Sequence, residues 1–149
     1  MLKSVIEFNR VRNGFNYDES LEIEMFNEEC GEFFNAITLA ERIDAFIDME
    51  YVRLGTVCKL AYNGFESKLP YDTTGADVAL NVLRTELGKD FERVIEQAQR
   101  IVCECNAMKI SKLDKNGKVM KQKDLRDATK EIANLLSQIE EETKKNEED

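Results

Sequence analysis

Apolar residues recur along this chain three and four positions apart, in one segment after another. That is the period of an α-helix with one face turned to a core. Phe26, Phe33 and Ile37 follow it, as do Ala40, Ile47, Tyr51, Leu54 and Cys58. So do Leu125, Ala128, Ile132, Leu135 and Ile139 near the end. Strand signals are weak, and the single proline, Pro70, falls outside every periodic stretch. The fold class is therefore expected to be all-α: a helical bundle with one short hairpin-like turn.

Helix ends can be read from the residues that satisfy free backbone groups. Helices are expected over 2–12, 18–37, 38–62, 74–87, 91–108 and 124–145. Asn13-Gly14 stops the first and Gly88 the fourth. Asp18, Thr38 and Asp90 are N-caps, with Glu41 completing a capping box behind Thr38. Residues 63–73 form a loop, and Asn116-Gly117 centres the hairpin-like turn. One domain spans 1–145, and 146–149 reads as a disordered acidic tail. The helices are short and thinly aromatic, and the last has an apolar stripe to spare. The bundle is thus expected to be completed by oligomerisation, as a homodimer or homotetramer.

The chain contains no histidine. That excludes histidine-based triads and imidazole acid–base catalysis, leaving carboxylate, lysine, tyrosine or metal-bound water to move protons. Cys30, Cys58, Cys103 and Cys105 read as reduced core residues of a cytoplasmic protein. A run of 18 apolar residues is absent, so no membrane partner is expected. The formal net charge of −9 argues against nucleic acid as a partner.

The charge is unevenly placed. Residues 18–50 hold eleven acids against one base, Arg42, while 109–126 hold seven bases against two acids. On the second expected helix Glu28 and Glu32 align, with Glu29 turned toward Phe26 and Phe33. On the third, Asp44 and Asp48 align, and Asp44 interrupts an apolar stripe. Like charges on a half-buried face repel and lose hydration unless a cation neutralises them. Ligands that are all oxygen suit Mg²⁺ or Mn²⁺. A separate basic segment suits the phosphates of a metal-bound substrate. The plain alternative is a solvated acidic face.

Four ordered segments resemble the all-α nucleoside triphosphate pyrophosphohydrolase superfamily, in its MazG-like and phosphoribosyl-ATP-pyrophosphohydrolase-like branch. EECGEF carries the EExxE signature in Glu28, Glu29 and Glu32. ERIDAFIDMEYVRLGT is similar to the branch's "DALADLLYVLYGT", through Asp44, Asp48, Tyr51, Gly55 and Thr56, with Ala45 where the strict ExxD form has glutamate. VIEFNRVRNGF resembles "FHxxFG", with Asn9 in place of the histidine. ECNAMKISKLDKNGKVMK resembles "NMSKLxxDGK", through Asn106, Ser111, Lys112, Leu113, Asp114, Gly117 and Lys118.

The resemblance implies hydrolysis of a nucleoside triphosphate between its α and β phosphates, giving monophosphate and pyrophosphate. Glu28, Glu29, Glu32, Asp44 and Asp48 are the candidate metal ligands. Glu29, if not fully used as a ligand, is the candidate proton acceptor. Lys109, Lys112 and Lys118 are candidates to balance charge on the phosphates, with Lys112 preferred because it lies in the matching segment. Asn106 offers a donor and an acceptor to a base or ribose. Phe8 and Asn9 join it as substrate-binding candidates, and Phe8 and Phe15 equally suit a core. Two alternatives stand: a dUTPase-type enzyme of the same fold, or a non-catalytic acidic helical interaction protein such as a DNA mimic.

Overall fold

A computed structural model describes residues 1–111 and 126–148. Its α-helices are α1 (Leu2–Asn13), α2 (Glu19–Asn35), α3 (Leu39–Tyr62), α4 (Thr74–Leu87), α5 (Phe91–Ser111) and α6 (Ala128–Glu148). A single 3₁₀ turn, Gly88–Asp90, joins α4 to α5. No strand occurs among the described residues, so the all-α expectation is met. None of their helices is long and apolar enough to cross a membrane. The hairpin-like turn expected around Asn116-Gly117 lies outside the described residues.

The caps expected at Gly14, Asp18 and Thr38 form, whereas Asp90 lies in the 3₁₀ turn that runs directly into α5. Gly14 ends α1 in the left-handed region at φ 59°, and its N–H bonds Asn9 O. The Asp18 carboxylate accepts from Leu21 N, and Thr38 Oγ1 accepts from Glu41 N at 3.1 Å. Glu41 reaches back to Ile37 N, one residue before the cap position. Several ends differ from expectation. The α5 helix runs on to Ser111, past 108, and α6 begins at Ala128 rather than at 124, after the non-helical Arg126 and Asp127. The α2 helix stops at Asn35, because Ala36 turns extended and Thr38 already begins α3. Ile37, expected to face inward, therefore sits in the turn with 87% of its surface exposed. The α6 helix continues through Glu148, so Asn146–Glu148 are helical rather than an irregular tail.

The α3 helix is the axis of the bundle and touches α1, α2, α4, α5 and α6. Its sequence explains this: Ile43, Ala45, Phe46, Ile47 and Met49 are buried around most of that stretch, leaving only the side of Asp44 and Asp48 partly open. Phe26 and Phe33 of α2, Leu83 of α4, and Val94, Ala98 and Val102 of α5 pack around it. Fully burying side chains of this size stabilises the fold by about 1.5–3 kcal/mol each. The apolar stripe of α6 is not spare: Ile132, Leu135 and Ile139 are buried in the same core. The uncovered apolar surface lies elsewhere. Leu54, Val57, Cys58 and Ala61 share one face of the C-terminal half of α3 and remain half-buried or exposed.

The α1 helix packs across α3 at a close approach. A Cβ on Gly55 would lie 3.0 Å from Asn9 Nδ2, so glycine is what allows the buried Asn9 amide to fit there. Tyr51 links the same helices: its hydroxyl donates to Ser4 O at 3.0 Å and pairs with Ser4 Oγ at 2.9 Å.

Candidate functional site

The turn over residues 36–38 folds α2 and α3 into an antiparallel hairpin, which sets Glu29 and Glu32 beside Asp44 and Asp48. Glu29 lies two turns along α2 from Glu22, on the buried stripe that also carries Phe26 and Phe33. Glu28, one residue earlier, is turned outward and exposed. Asp44 and Asp48 are successive positions on one face of α3, partly covered by α5 and α6.

Burial and mutual repulsion both resist ionisation here. The Glu29 carboxyl is pushed up to about 9, first by burial and then by the Asp48 charge, a hydrogen bond with Glu32, and the Glu32 and Asp44 charges. Asp48 is pushed up to about 7 by burial and then by Asp44, against the opposing pull of Lys109. Asp44 is also raised by burial, and the Thr129 hydroxyl and Lys109 hold it back. Glu29 Oε2 is buried with no hydrogen-bond partner, an expensive position for a carboxylate oxygen.

The aspartates open on a cleft of about 430 Å³, walled by Asn106 and Lys109 of α5 and by the start of α6. Thr129 Oγ1 donates to Asp44 Oδ2 at 3.0 Å. A smaller hollow of about 240 Å³ is bordered by Glu32, Asn35 and Glu41. Thr129 and Asp44 line both spaces. At the lip, Arg126 binds both oxygens of Glu131, at 2.5 and 2.9 Å, and reaches Glu104 at 3.1 Å.

The donor set, carboxylate oxygens with one buried and unpartnered, fits a hard divalent cation. Among the described residues, however, no three His, Cys, Asp or Glu side chains stand where they could hold an ion as they are turned. Binding would require Glu29, Glu32, Asp44 and Asp48 to swing toward a common point.

The other sequence candidates divide sharply. Asn106 is buried in the cleft wall and hydrogen-bonds the Tyr51 hydroxyl, and Lys109 is exposed at the cleft. Lys112 and Lys118 lie outside the described residues. Phe8 packs edge-on to Tyr51, with ring centroids 5.7 Å apart. It borders a larger, mostly apolar groove of about 600 Å³ between α1 and α5. Asn9 is not brought to either opening: its amide donates to Val5 O and accepts from Asn13, against Gly55. Phe15 stacks on Tyr62 at the opposite end of α3, with centroids 4.7 Å apart.

Thr129 and Arg126 border the site without any spacing in the sequence marking them for it. Thr129 meets Asp44 across 85 residues, and only helix packing makes that contact. Comparison of the chain with protein-family models, with curated proteins and with solved structures finds no match to any of them.

Proposed function

We propose that this chain hydrolyses a nucleoside triphosphate at the α–β bond, with Mg²⁺ or Mn²⁺ held by Glu29, Glu32, Asp44 and Asp48. One observation carries the reading: Glu29, Asp44 and Asp48 are turned into the protein, and burial, with neighbouring carboxylate charge, raises the proton affinity of each, beside Lys109. A structural acidic face would turn such groups to water, as Glu28 is turned. The choice of the α–β bond rests on the resemblance of the four sequence segments.

A bound divalent cation would polarise the phosphate oxygens and lower the pKa of an attacking water. Glu29 would give up its own proton when the cation binds, and would then be the group to take that water's proton. Lys109 supplies positive charge at the cleft, and Lys112 and Lys118 are assigned the leaving pyrophosphate through the matching segment. Asn106 offers hydrogen bonds to base or ribose, and Phe8 offers a ring at the neighbouring groove. Four free cysteines suit the reducing cytoplasm where such substrates occur. A second copy, giving a homodimer or homotetramer, would cover the bare face of α3.

Phosphorus NMR of a reaction with Mg²⁺ tests the proposal. Monophosphate and pyrophosphate in equal amounts are expected, with no diphosphate. Orthophosphate and diphosphate as first products would overturn the assignment. Glu32→Gln and Asp48→Asn should each abolish turnover and keep the helical circular dichroism; near wild-type turnover in both would remove the metal assignment.

A further inference from the structure

Threonines inside the helices of this chain mostly turn their hydroxyls back on their own backbone. Thr56, Thr85 and Thr143 donate to Val52 O, Asn81 O and Ile139 O, each four residues earlier on the same helix. That carbonyl is the ordinary partner of a helical threonine hydroxyl. Thr129 is different. It is the second residue of α6, so the position four residues back lies outside its helix. Its hydroxyl crosses to α3 instead and donates to Asp44 Oδ2 at 3.0 Å.

The start of α6 gives that hydroxyl a firm base. Asp127 Oδ1 accepts from Lys130 N at 3.1 Å and caps the helix. Ile132, almost one turn on from Thr129, is completely buried in the core. Asp44 has less support of its own. Its side chain lines both the larger cleft and the smaller hollow, so open space meets it at two places. The last torsion of an aspartate is broad, and a carboxylate beside open space is weakly held by packing. Among the described residues, Thr129 is the side chain that donates to it. The bond takes Oδ2 and leaves Oδ1 without a donor. A hydroxyl that donates to a carboxylate also favours its charged form, which is the form a cation needs.

We propose that Thr129 is a positioning residue for the cation: its hydroxyl holds Asp44 by Oδ2 and leaves Oδ1 as the oxygen offered to a divalent metal. The hydrogen bond stands on the geometry, and its consequence for the cation rests on the function proposed above. Asp44 is then the fixed member of the four carboxylates. Glu29 and Glu32, each with one more rotatable bond, make most of the movement that a common point requires. Removing a side chain that orients a metal-binding group weakens the metal by about 10–100-fold.

The test compares three variants with wild type. Thr129→Val keeps the branched shape and loses the hydroxyl, Thr129→Ser keeps the hydroxyl, and Thr85→Val removes a hydroxyl that bonds only its own helix. Mn²⁺ affinity is read by electron paramagnetic resonance, and stability without metal by urea unfolding. Thr129→Val should bind Mn²⁺ about tenfold or more weakly. Thr129→Ser should recover most of that loss, and Thr85→Val should bind as wild type does. Without metal, Thr129→Val should lower the urea midpoint more in the wild-type background than in Asp44→Ala, where the bond is already gone. Equal shifts in the two backgrounds mean that the bond is not made, and overturn the proposal whatever Mn²⁺ does. Mn²⁺ affinity unchanged in Thr129→Val, or weakened equally in Thr129→Ser, overturns it while the metal site stands. A wild type that binds no Mn²⁺ overturns the metal reading itself, and this role of Thr129 with it.

Discussion

Replacing Glu29 by glutamine should stabilise the protein, and the gain should grow with pH. The carboxyl titrates near 4.5 in an unfolded chain and is pushed up to about 9 in the folded one. Below pH 4.5 both states hold the proton, and ionisation contributes no difference. As pH rises from there, the unfolded chain releases a proton that the folded protein keeps. Stability is therefore lost progressively, until the folded group also ionises near pH 9. Each pH unit corresponds to about 1.4 kcal/mol, so the interval from 4.5 to 7 amounts to about 3 kcal/mol for a fully buried group. Glu29 is only partly covered, and solvent screening reduces this to ~1.5 kcal/mol. Glutamine has the same shape, cannot ionise, and can donate to Glu32 as the protonated acid does. Urea unfolding of both proteins, without divalent cations, at pH 4.5, 6 and 8 measures the difference. Near-zero gain at pH 4.5 and a gain of ~1.5 kcal/mol or more at pH 8 are expected. A gain independent of pH, or one that shrinks as pH rises, would refute the assignment of a raised proton affinity to this side chain. Mg²⁺ added at pH 8 should raise the melting temperature of wild type and leave that of the variant nearly unchanged.

Three further outcomes follow from the packing. Leu83 is completely buried, so Leu83→Ala should cost about 2–5 kcal/mol in urea unfolding, with the α-helical spectrum retained. Gly55→Ala places a methyl 3.0 Å from Asn9 Nδ2 and should cost about 1–3 kcal/mol; adding Asn9→Ala should recover part of that loss, and strict additivity of the two changes would contradict the contact. Light scattering should give a mass above that of one chain, and Val57→Lys, on the uncovered face of α3, should lower it to one chain; a monomeric wild type at micromolar concentration removes the second copy from the proposal.

Helix content was legible in the sequence because its causes are local. The period of apolar residues, the Thr38 and Asp18 caps and the glycines at 14 and 88 act within a few residues of themselves. The acidic site was half legible for the same reason: spacing places Asp44 and Asp48 on one face of α3. Spacing shows which residues share a face but not what that face meets. The apolar stripe of α6 looked available to a second copy, and the tertiary structure places it against the core of its own chain. Asn9 resembled a binding residue, and packing against Gly55 encloses it instead. Of the adjacent glutamates, only the rotation of α2 decides that Glu29 turns inward and Glu28 outward. Thr129 reaches Asp44, and Glu22 reaches Lys59, across 85 and 37 residues. Such pairings depend on how whole helices settle against one another, where the burial of many side chains outweighs the preference of any single one.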